Sequence, residues 1–322
     1  MENKKMLIIV NPNSGKAKMR GKLLDVCEIF SNAGFDITVY PTKCRNDATE
    51  RALQIKQNEF DVVVVSGGDG TLNEVVTGLL QTGIKVTLGY IPSGTLNEWS
   101  SSLNISRDIK TAAKDIVDGQ IVSVDMGKFG DKYFSYTASF GAFTEVSYST
   151  PQGFKNTFGH AAYILEGVKS VANIKSQHLK VIFDGKEVEG DYLFGAVSNS
   201  FSLGGMIKFK QNVVNLNDGY FELVLIQKPK NLLTLQKILD GIIKKDFNRK
   251  GIEFFHAKEF TIIGGDDLSW TLDGEYCAGS HEVSVSAIPS AISLLVPNNE
   301  KIEAKAKKKK TAKNDTNKDE KK

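Results

Sequence analysis

The spacing of apolar and polar residues divides the chain into two parts. As far as about residue 127, short β-branched runs alternate with segments of helical period, as in the strand Asp61 to Val65 and the helix Lys18 to Ala33. This alternation predicts an α/β fold with a doubly wound, mostly parallel sheet. The other elements predicted here are strands at Met6 to Val10, Asp36 to Tyr40 and Lys85 to Tyr90, and helices at Asp47 to Gln57, Leu72 to Leu80, Asn97 to Leu103 and Arg107 to Asp118.

Beyond Lys132 most segments alternate with a period of two residues, which is typical of strands with one buried face. We therefore expect a β-rich domain, an antiparallel sandwich or barrel, in residues 128–298, after an α/β domain in residues 1–127. The predicted strands are Tyr133 to Ala138, Leu179 to Phe183, Gly195 to Asn199, Tyr220 to Ile226, Phe260 to Ile263, Ser269 to Leu272 and Val283 to Val296, with helices at Asn156 to Ala172 and Leu232 to Lys245.

Positive charge is concentrated in the C-terminal tail. Residues 301–322 contain ten lysines and four acidic residues, a net charge of +6, in a chain whose total is +3. The remainder has a net charge of −3, which argues against a large nucleic-acid-binding surface. Residues 299–322 lose the hydrophobic pattern, so we expect a disordered tail whose lysines would be weakly attracted to an anionic membrane.

The cysteines and the hydropathy of the chain indicate the cellular compartment in which the protein works. Cys27, Cys44 and Cys277 are far apart and form no C-x-x-C pair, which predicts a reduced, cytoplasmic protein without a disulfide framework or a zinc site. No apolar run approaches the roughly 18 residues that a membrane-spanning helix needs. We therefore expect no transmembrane segment, and any contact with a membrane to be made from its surface.

The most informative stretch is Ser66 to Glu74, which follows a buried strand and leads into a helix. Its three glycines leave no Cβ in the way of a bulky anion, and the start of the helix offers free backbone N–H groups. Asp69 inside the turn would repel a phosphate directly, so it is better suited to a metal ion or a hydrogen bond. The combination predicts a phosphate-handling site, and thus a phosphoryl-transfer enzyme.

Loops with small and polar residues follow the other strands of the first part, at Asn11 to Lys16, Pro41 to Lys43 and Ser93 to Glu98. In a doubly wound sheet the carboxyl ends of the strands gather at one edge, where ligands bind. Backbone N–H groups, small hydroxyls and a lysine would converge there and suit a polyphosphate. The alternative is a set of satisfied turns and helix caps.

Two carboxylate-bearing loops lie in the second part. Asn215 to Tyr220 precedes a predicted strand, and Leu272 to Tyr276 follows one. Both contain Asp-Gly, which is common in tight turns. Each loop taken alone therefore predicts an ordinary hairpin turn.

Taken in order, these motifs resemble the bacterial soluble diacylglycerol kinase family, which includes related lipid kinases. The resemblance covers roughly residues 4 to 298 and rests on Asn-Pro-x-Ser-Gly-Lys, Gly-Gly-Asp-Gly-Thr-Leu-Asn-Glu, Gly-Thr-x-Asn, Val124 to Gly127, Asn-Asp-Gly-Tyr and Asp273 to Glu275. It implies a kinase that uses ATP and magnesium (Mg2+) to phosphorylate the hydroxyl of diacylglycerol, giving phosphatidic acid, or of a similar lipid alcohol. It also implies peripheral association with the inner face of the membrane, and many members are homodimers.

Carried over position by position, the resemblance assigns a role to each motif. Glu275 resembles the general base that takes the proton of the lipid hydroxyl, and Asp69 would position the reacting phosphate through magnesium or water. Asp218 looks like the family's metal-binding aspartate, with Asn215 and Tyr220 contributing carbonyl oxygens to this structural ion. The residues implied to hold ATP are Asn11, Pro12, Asn13, Ser14, Gly15, Lys16, Thr42, Gly67, Gly68, Asp69, Gly70, Thr71, Leu72, Asn73, Thr95, Asn97 and Glu98.

Two positions depart from the family pattern. Glu98 stands where the family usually has Asp, and Glu166 stands where members close to the diacylglycerol kinases often have Lys. These departures leave open a small-molecule kinase such as an NAD kinase, and a nucleotide-binding regulator without catalysis. Trp99 and the segment Phe140 to Phe143 either line a lipid site or belong to the core, while His160 and Trp270 are interpreted as structural.

Overall fold

The computed structural model describes residues 3–141, 175–203, 207–210, 213–265 and 268–298. The chain forms two compact units. The first comprises Met1–Leu72, Gly83–Val122 and Ser293–Lys322, and the second comprises Asn73–Thr82 and Ser123–Ile292. The predicted helix Asn156 to Ala172, Glu166 and His160 within it, and the predicted tail lie outside the described residues.

A parallel sheet forms the centre of the first unit. Its strands are β1 (Lys4–Val10), β2 (Phe35–Pro41), β3 (Val62–Gly67), β4 (Thr87–Pro92) and the end of β17 (Glu282–Val296). They lie in the order β17-β4-β3-β1-β2, and every neighbouring pair is parallel. The continuous apolar runs of β1 and β3 are buried, as expected of parallel strands covered on both faces. The predicted α/β class with parallel N-terminal strands is confirmed.

Helices connect these strands. They are α1 (Leu23–Asn32), α2 (Asp47–Leu53), α3 (Asp69–Thr82), α4 (Glu98–Ser102) and α5 (Ile109–Asp118), together with a 3₁₀ turn at Ser14–Ala17. Helix α1 begins at Leu23 rather than at the predicted Lys18. Ala17 has a positive φ of 58°, and turns with hydrogen bonds to the carbonyls of Ala17 and Met19 occupy the segment between. Helix α3 starts at Asp69 itself, earlier than the predicted Leu72.

The second unit is β-rich, as predicted. Its strands are most of β5 (Gln120–Phe129), β6 (Lys132–Phe134), β7 (Thr137–Gly141), β8 (Gln177–Phe183), β9 (Lys186–Ser198), β10 (Ser202–Leu203), β11 (Ile207–Lys208), β12 (Phe221–Gln227), β13 (Ile252–Ala257), β14 (Glu259–Ile263), β15 (Trp270–Leu272), β16 (Glu275–Cys277) and most of β17. The described residues of this unit also include most of helix α3 and a further helix, α6 (Leu232–Lys244). Antiparallel pairing joins them in the order β16-β15-β7-β9-β8-β14-β17, and β12 pairs with β9 and β13. Strand β13 was not predicted from the sequence.

Alternation along β12 gives this unit a core on each face of its sheet. Leu223 and Leu225 pack in one apolar cluster, and Val224 and Ile226 pack in another. Trp270 belongs to the first cluster, with its ring 4.9 Å from the ring of Phe140 in an edge-on contact. Trp270 and Phe140 are therefore core residues.

Candidate active site

Three of the predicted loops at strand ends lie against one another in the first unit. A Cβ on Gly15, whose φ is +52°, would clash with the carbonyl oxygen of Ser93, and a Cβ on Gly94 would clash with the Cα of Gly68. Only glycine allows backbones to approach this closely. The loops after β1, β3 and β4 therefore meet at one edge of the parallel sheet, as the sequence predicts.

Hydrogen bonds hold the first two of these loops together. The backbone N–H of Asn11 donates to the carbonyl of Ser66 at 2.8 Å, and the side-chain amide of Asn11 donates to the hydroxyl of Thr71 at 3.1 Å. The side-chain oxygen of Asn11 also accepts from the backbone N–H of Asn13 at 3.0 Å. Asn11 therefore shapes the loop with its side chain.

The third loop is anchored by Asn97, which is buried and has a left-handed backbone with φ of 47°. Its side chain accepts a hydrogen bond from the N–H of Gly94 at 3.0 Å and donates one to the carbonyl of Gly94 at 2.8 Å. The backbone N–H of Gly94 also lies 3.2 Å from the carbonyl of Gly67. Asn97 thus closes the turn and helps to keep it against the loop after β3.

Asp69 is the first residue of helix α3, and one of its oxygens is a buried acceptor without a partner. Oδ2 accepts a hydrogen bond from the backbone N–H of Glu98 at 3.0 Å. Oδ1 is buried and has no hydrogen-bond partner among the described residues. Burial raises the pKa of this carboxyl group, against the lowering effect of backbone N–H groups of Glu98 and Trp99. A buried acceptor left without a donor indicates a ligand atom, an ion or a water at that position.

Arg20 is a residue of this region that the sequence analysis missed. Its guanidinium group donates to the carbonyl of Pro12 at 3.0 Å and to the side-chain oxygen of Asn13 at 2.9 Å. It therefore supports the loop that follows β1. A lone arginine after a loop gives no signal in the sequence that could distinguish it from a surface charge.

The other predicted ATP-binding residues of the first unit lie on the same strand-end loops or directly beside them. Ser14, Gly15 and Lys16 form part of the 3₁₀ turn after β1, and Gly70, Thr71 and Leu72 lie in the first turn of α3. Thr42 follows β2, with its backbone N–H 2.8 Å from the carbonyl of Val10. Thr95 is exposed in the loop after β4.

In the second unit, Asp273 and Gly274 form the two-residue turn of the hairpin between β15 and β16. Both have positive φ, 50° and 86°, as the common tight hairpin turn requires. The Asp273 carboxylate is buried and accepts hydrogen bonds from the side chain of Asn73 at 2.7 Å and from the backbone N–H of Ser135 at 2.6 Å. It also accepts from the backbone N–H groups of the next two residues at 2.9 and 3.1 Å. Burial raises its pKa to about 6 despite these donors.

Glu275 directly follows this turn and is exposed. It pairs with Leu272 across the hairpin, so its backbone position is fixed by the same turn that Asp273 anchors. The predicted general base is thus exposed, directly after the turn that Asp273 anchors.

The loop with the predicted metal ligands is held by Asp125, which belongs to the Val124 to Gly127 motif. Asp125 is buried, and its carboxylate accepts from the backbone N–H of Gly219 and of Ser290, both at 2.6 Å. Its own N–H donates to the carbonyl of Leu216 at 2.8 Å. Within the loop, Asp218 Oδ1 accepts from the N–H of Tyr220 at 3.0 Å.

Glu222 and His256 are further polar residues beside this loop that the sequence analysis did not single out. They are partners across β12 and β13. His256 Nε2 lies 3.6 Å from Asp218 Oδ2 and 3.8 Å from Glu222 Oε1, and the ring of Tyr220 stacks on the imidazole at 4.8 Å. Glu222 is 1% exposed, and neither carboxyl oxygen has a hydrogen-bond partner in the described part of the chain. Burial raises the pKa of Glu222 to about 8.

Comparison with known proteins relates both units to one family. Residues 5–129 match the Diacylglycerol kinase catalytic domain, and residues 139–296 match the YegS C-terminal NAD kinase beta sandwich-like domain. A Staphylococcus saprophyticus protein named Diacylglycerol kinase is 32% identical over 274 residues, which cover 85% of this chain and 89% of the relative. A protein of the same name from Bacillus subtilis is 33% identical over 275 residues, 85% of this chain and 90% of the relative.

This chain belongs to the diacylglycerol kinase family. It is therefore an enzyme of the kinase class, a transferase that moves a phosphoryl group from ATP to an alcohol. The fold agrees with that of a Bacillus anthracis str. Sterne protein described provisionally as a diacylglycerol kinase. That structure is 27% identical, has a TM-score of 0.77, and is matched over 93% of this chain and 97% of its own. Among the helices of the described residues, none combines the length and apolarity needed to cross a bilayer.

The family's magnesium chemistry can be tested against the side chains present. No three His, Cys, Asp or Glu side chains in the described part of the chain form a metal cage. Magnesium, however, prefers one or two carboxylates together with carbonyl oxygens and water. Asp69, with its unpartnered buried oxygen, and the carboxylate of Asp218 each provide oxygen donors of this kind. The residues therefore fit a hard divalent cation.

Proposed function

We propose that this chain transfers the γ-phosphate of ATP to the hydroxyl group of diacylglycerol, giving phosphatidic acid, or to a similar lipid alcohol. The observation that carries the proposal is the match over 85% of the chain to relatives named diacylglycerol kinase. In this proposal residues 1–127 bind ATP, and residues 128–298 provide the lipid and metal site. Because the proposed substrate is a membrane lipid, we also propose that the chain acts in the cytoplasm, at the inner face of the membrane.

The loops at the strand ends would bind the phosphates of ATP. Their closely packed backbones, together with the first turn of helix α3, offer N–H groups and the positive end of a helix dipole to an anion. Phosphoryl transfer needs positioning and charge stabilisation more than covalent help, so such a cradle suits the reaction. The residues proposed for this role are those that the family resemblance implies, from Asn11 to Lys16, Thr42, Gly67 to Asn73, Thr95, Asn97 and Glu98.

Like Asn11 and Asn97, Asn73 has a side chain that is already engaged, but its partners lie in the second unit. Its amide donates to Asp273 at 2.7 Å and lies 3.3 Å from the carbonyl of Tyr133, while its side-chain oxygen accepts from Thr77 at 3.3 Å. Its proposed part in the site is therefore to support the Asp273 turn.

Glu275 would accept the proton of the lipid hydroxyl. The hydroxyl oxygen attacks the γ-phosphorus, the bond to the β-phosphate oxygen breaks, and ADP leaves while the proton moves to the Glu275 carboxylate. Exposure of Glu275 beside a hydrogen-bonded hairpin turn supports this role, because the substrate must reach it from outside. Asp273, whose carboxylate binds the backbone of residues 135–137, would keep the hairpin in position.

A structural magnesium ion would be held by Asp218 with the carbonyl oxygens of Asn215 and Tyr220, whereas Asp69 would position the reacting phosphate through magnesium or a bound water. When bound, magnesium supplies neutralisation of phosphate charge. Glu98 retains the carboxylate of the usual aspartate with one more methylene, and its backbone N–H already donates to Asp69. This hydrogen bond supports a role for residue 98 in holding Asp69.

The proposal is tested with purified protein, γ-labelled ATP and magnesium, offered either diacylglycerol in detergent or NAD. The expected product is labelled phosphatidic acid, with no label in NAD. Label in NAD and none in the lipid would overturn the proposal in favour of an NAD kinase. ATP binding without transfer to any acceptor would overturn it in favour of a nucleotide-binding regulator. Asp69→Asn serves as a variant expected to abolish the lipid product.

A further inference from the structure

The exposed side of helix α6 combines positive charge with protruding apolar side chains. Residues 228–250 contain seven lysines and arginines and two aspartates, a net charge of +5 in a chain whose total is only +3. On the helix itself Leu233 is 70% exposed and Ile243 is 69% exposed. Such protruding aliphatic side chains amid lysines are typical of helices that lie on a membrane.

The helix is anchored to its unit by one face, which fixes the direction of the other. Leu235 and Ile238 are buried, and Ile238 packs in one of the two apolar clusters. Asn231 caps the helix, with its side-chain oxygen accepting from the backbone N–H of Thr234 at 2.9 Å. Leu233, which is offset from the buried residues on the helical wheel, points outward from a well-anchored element.

The exposed side follows helical spacing. Leu233, Lys237 and Lys244 recur at intervals of four and seven residues, so they form one stripe, and Ile243 lies beside it. Lys228 and Lys230 extend the positive charge on the N-terminal side, and both are exposed. The exposed side of the helix therefore presents two aliphatic side chains near lysines, with Asp240 paired to Lys244 on the same stripe.

Two lysines of this segment, Lys230 and Lys237, are available for an external partner. Asp240 pairs with Lys244 at 3.6 Å, and Asp246 pairs with Arg249 at 2.6 Å, which uses both acidic residues of the segment. In the described ranges no acidic side chain lies within ion-pair distance of Lys230 or Lys237. The positive charge of these two lysines can therefore attract an anionic surface over a distance.

We propose that the exposed stripe of α6, with the lysines before it, docks the protein on a bilayer that contains anionic lipid. This inference rests on the proposed function in one respect, because a kinase of a lipid alcohol has to reach its substrate in a bilayer. Leu233 and Ile243 enter the boundary between headgroups and acyl chains, and the lysines bind lipid phosphates. A protein partner is less well matched, since the segment carries a net charge of +5, the acidic side chain on the stripe, Asp240, is paired with Lys244, and the apolar area is small.

Co-sedimentation of the full chain with vesicles of phosphatidylcholine and phosphatidylglycerol tests the proposal. The double variant Lys230→Glu/Lys237→Glu is expected to lower the partition coefficient at least about tenfold. Leu233→Gln/Ile243→Gln is also expected to lower it about tenfold or more, since two aliphatic side chains no longer enter the bilayer. The matched controls are Lys56→Glu/Lys186→Glu, with the same change of charge, and Leu24→Gln/Ile121→Gln, all at exposed positions outside the segment. These controls are expected to bind as the wild type does.

Equal binding of the α6 variants and their controls would overturn the proposal. A loss confined to the lysine variant would overturn the insertion of Leu233 and Ile243. Activity toward diacylglycerol in uncharged detergent separates this inference from the proposed function, because docking variants should retain wild-type rates there. If all forms lack lipid kinase activity in detergent while the vesicle pattern holds, the docking surface stands and the proposed function fails.

Discussion

The side-chain amide of Asn73 donates a hydrogen bond of 2.7 Å to the carboxylate of Asp273, 200 residues further along the chain. The same carboxylate accepts backbone N–H groups of residues 135–137. Asn73 comes from the glycine-rich motif, and Asp273 opens the turn that carries Glu275. One buried carboxylate thus ties together three segments of the second unit that are distant in sequence.

Asp273→Asn is expected to destabilise the protein and to slow turnover. The substitution replaces one carboxylate oxygen, an acceptor, with an NH2 group that faces N–H donors. These buried donors lose their acceptor, which should lower the free energy of unfolding by about 2 kcal/mol or more. Turnover should fall about tenfold or more because the Glu275 hairpin loses its anchor, while ATP binding should persist. Urea unfolding, initial rates and ATP titration measure these effects.

Asp184→Asn is the matched control, because Asp184 and Gly185 form another Asp-Gly turn with positive φ at both positions, and Asp184 is exposed. Its stability and turnover should remain those of the wild type. An Asp273→Asn protein as stable and as active as this control would contradict the role of Asp273.

Exchanging the two residues of the central hydrogen bond gives a sharper test. Asn73→Asp places two carboxylates against each other and should destabilise the protein by about 1–3 kcal/mol. The double variant Asn73→Asp/Asp273→Asn restores a donor and an acceptor between these positions, but it removes the acceptor for residues 135–137. We therefore expect the exchange to recover less than half of the lost stability in urea unfolding. Full recovery would show that the backbone contacts of Asp273 contribute little.

The parts of the site that could be predicted from the sequence are those defined by local signals. The apolar run before Gly67 and the glycines after it determine a buried strand, a turn and a helix start within a dozen residues, and the structure has each of them. The close approach of Gly15 to Ser93 follows from the parallel sheet, which brings strand ends to one edge. Topology and local turn chemistry were therefore sufficient to predict the loops at the strand ends.

The remaining features depend on contacts between residues distant in sequence. Nothing around Asp273 indicates that its carboxylate binds the backbone of residues 135–137, and nothing around Asp125 indicates that it holds Gly219. Strand β13 was missed because its edge position leaves an uneven pattern of exposure instead of a clear alternation. The orphaned carboxyl group of Glu222 is likewise apparent only once β12 and β13 are paired.

Glu275→Ala is expected to lose at least about 10²-fold in turnover, within the usual range for loss of a general base, while ATP binding survives. The mutated side chain is exposed, so stability should change little. Glu282→Ala, an exposed glutamate at the start of β17, provides the control and should retain wild-type turnover. Turnover of Glu275→Ala equal to that of the control would remove Glu275 from the mechanism.

Glu222→Gln is expected to stabilise the protein at pH 8 and to have little effect at pH 5. Burial raises the pKa of Glu222 to about 8, so between roughly pH 4.5 and 8 the folded protein holds a proton that the unfolded chain has lost. The free energy of unfolding of the wild-type protein therefore falls as the pH rises from about 4.5 to 8. The neutral glutamine should avoid this loss, which is on the order of 3 kcal/mol at pH 8.

Thermal unfolding of wild type and Glu222→Gln at both pH values, in buffer with a chelator, measures this difference. Glu282→Gln, a change to an exposed carboxylate of the same sheet, controls for general loss of negative charge. A wild-type melting temperature equal to that of Glu222→Gln at pH 8 would contradict the prediction, because it would show that ionisation of Glu222 does not destabilise the folded protein.

The central claim is that the acceptor is a lipid alcohol. The most direct measurement incubates the purified chain with γ-labelled ATP, magnesium and a total lipid extract that is supplemented with water-soluble acceptors including NAD, and identifies every labelled product. The account predicts one dominant labelled product in the lipid phase, phosphatidic acid, which disappears with Asp69→Asn. Label confined to a water-soluble product, with none in the lipid phase, would contradict it.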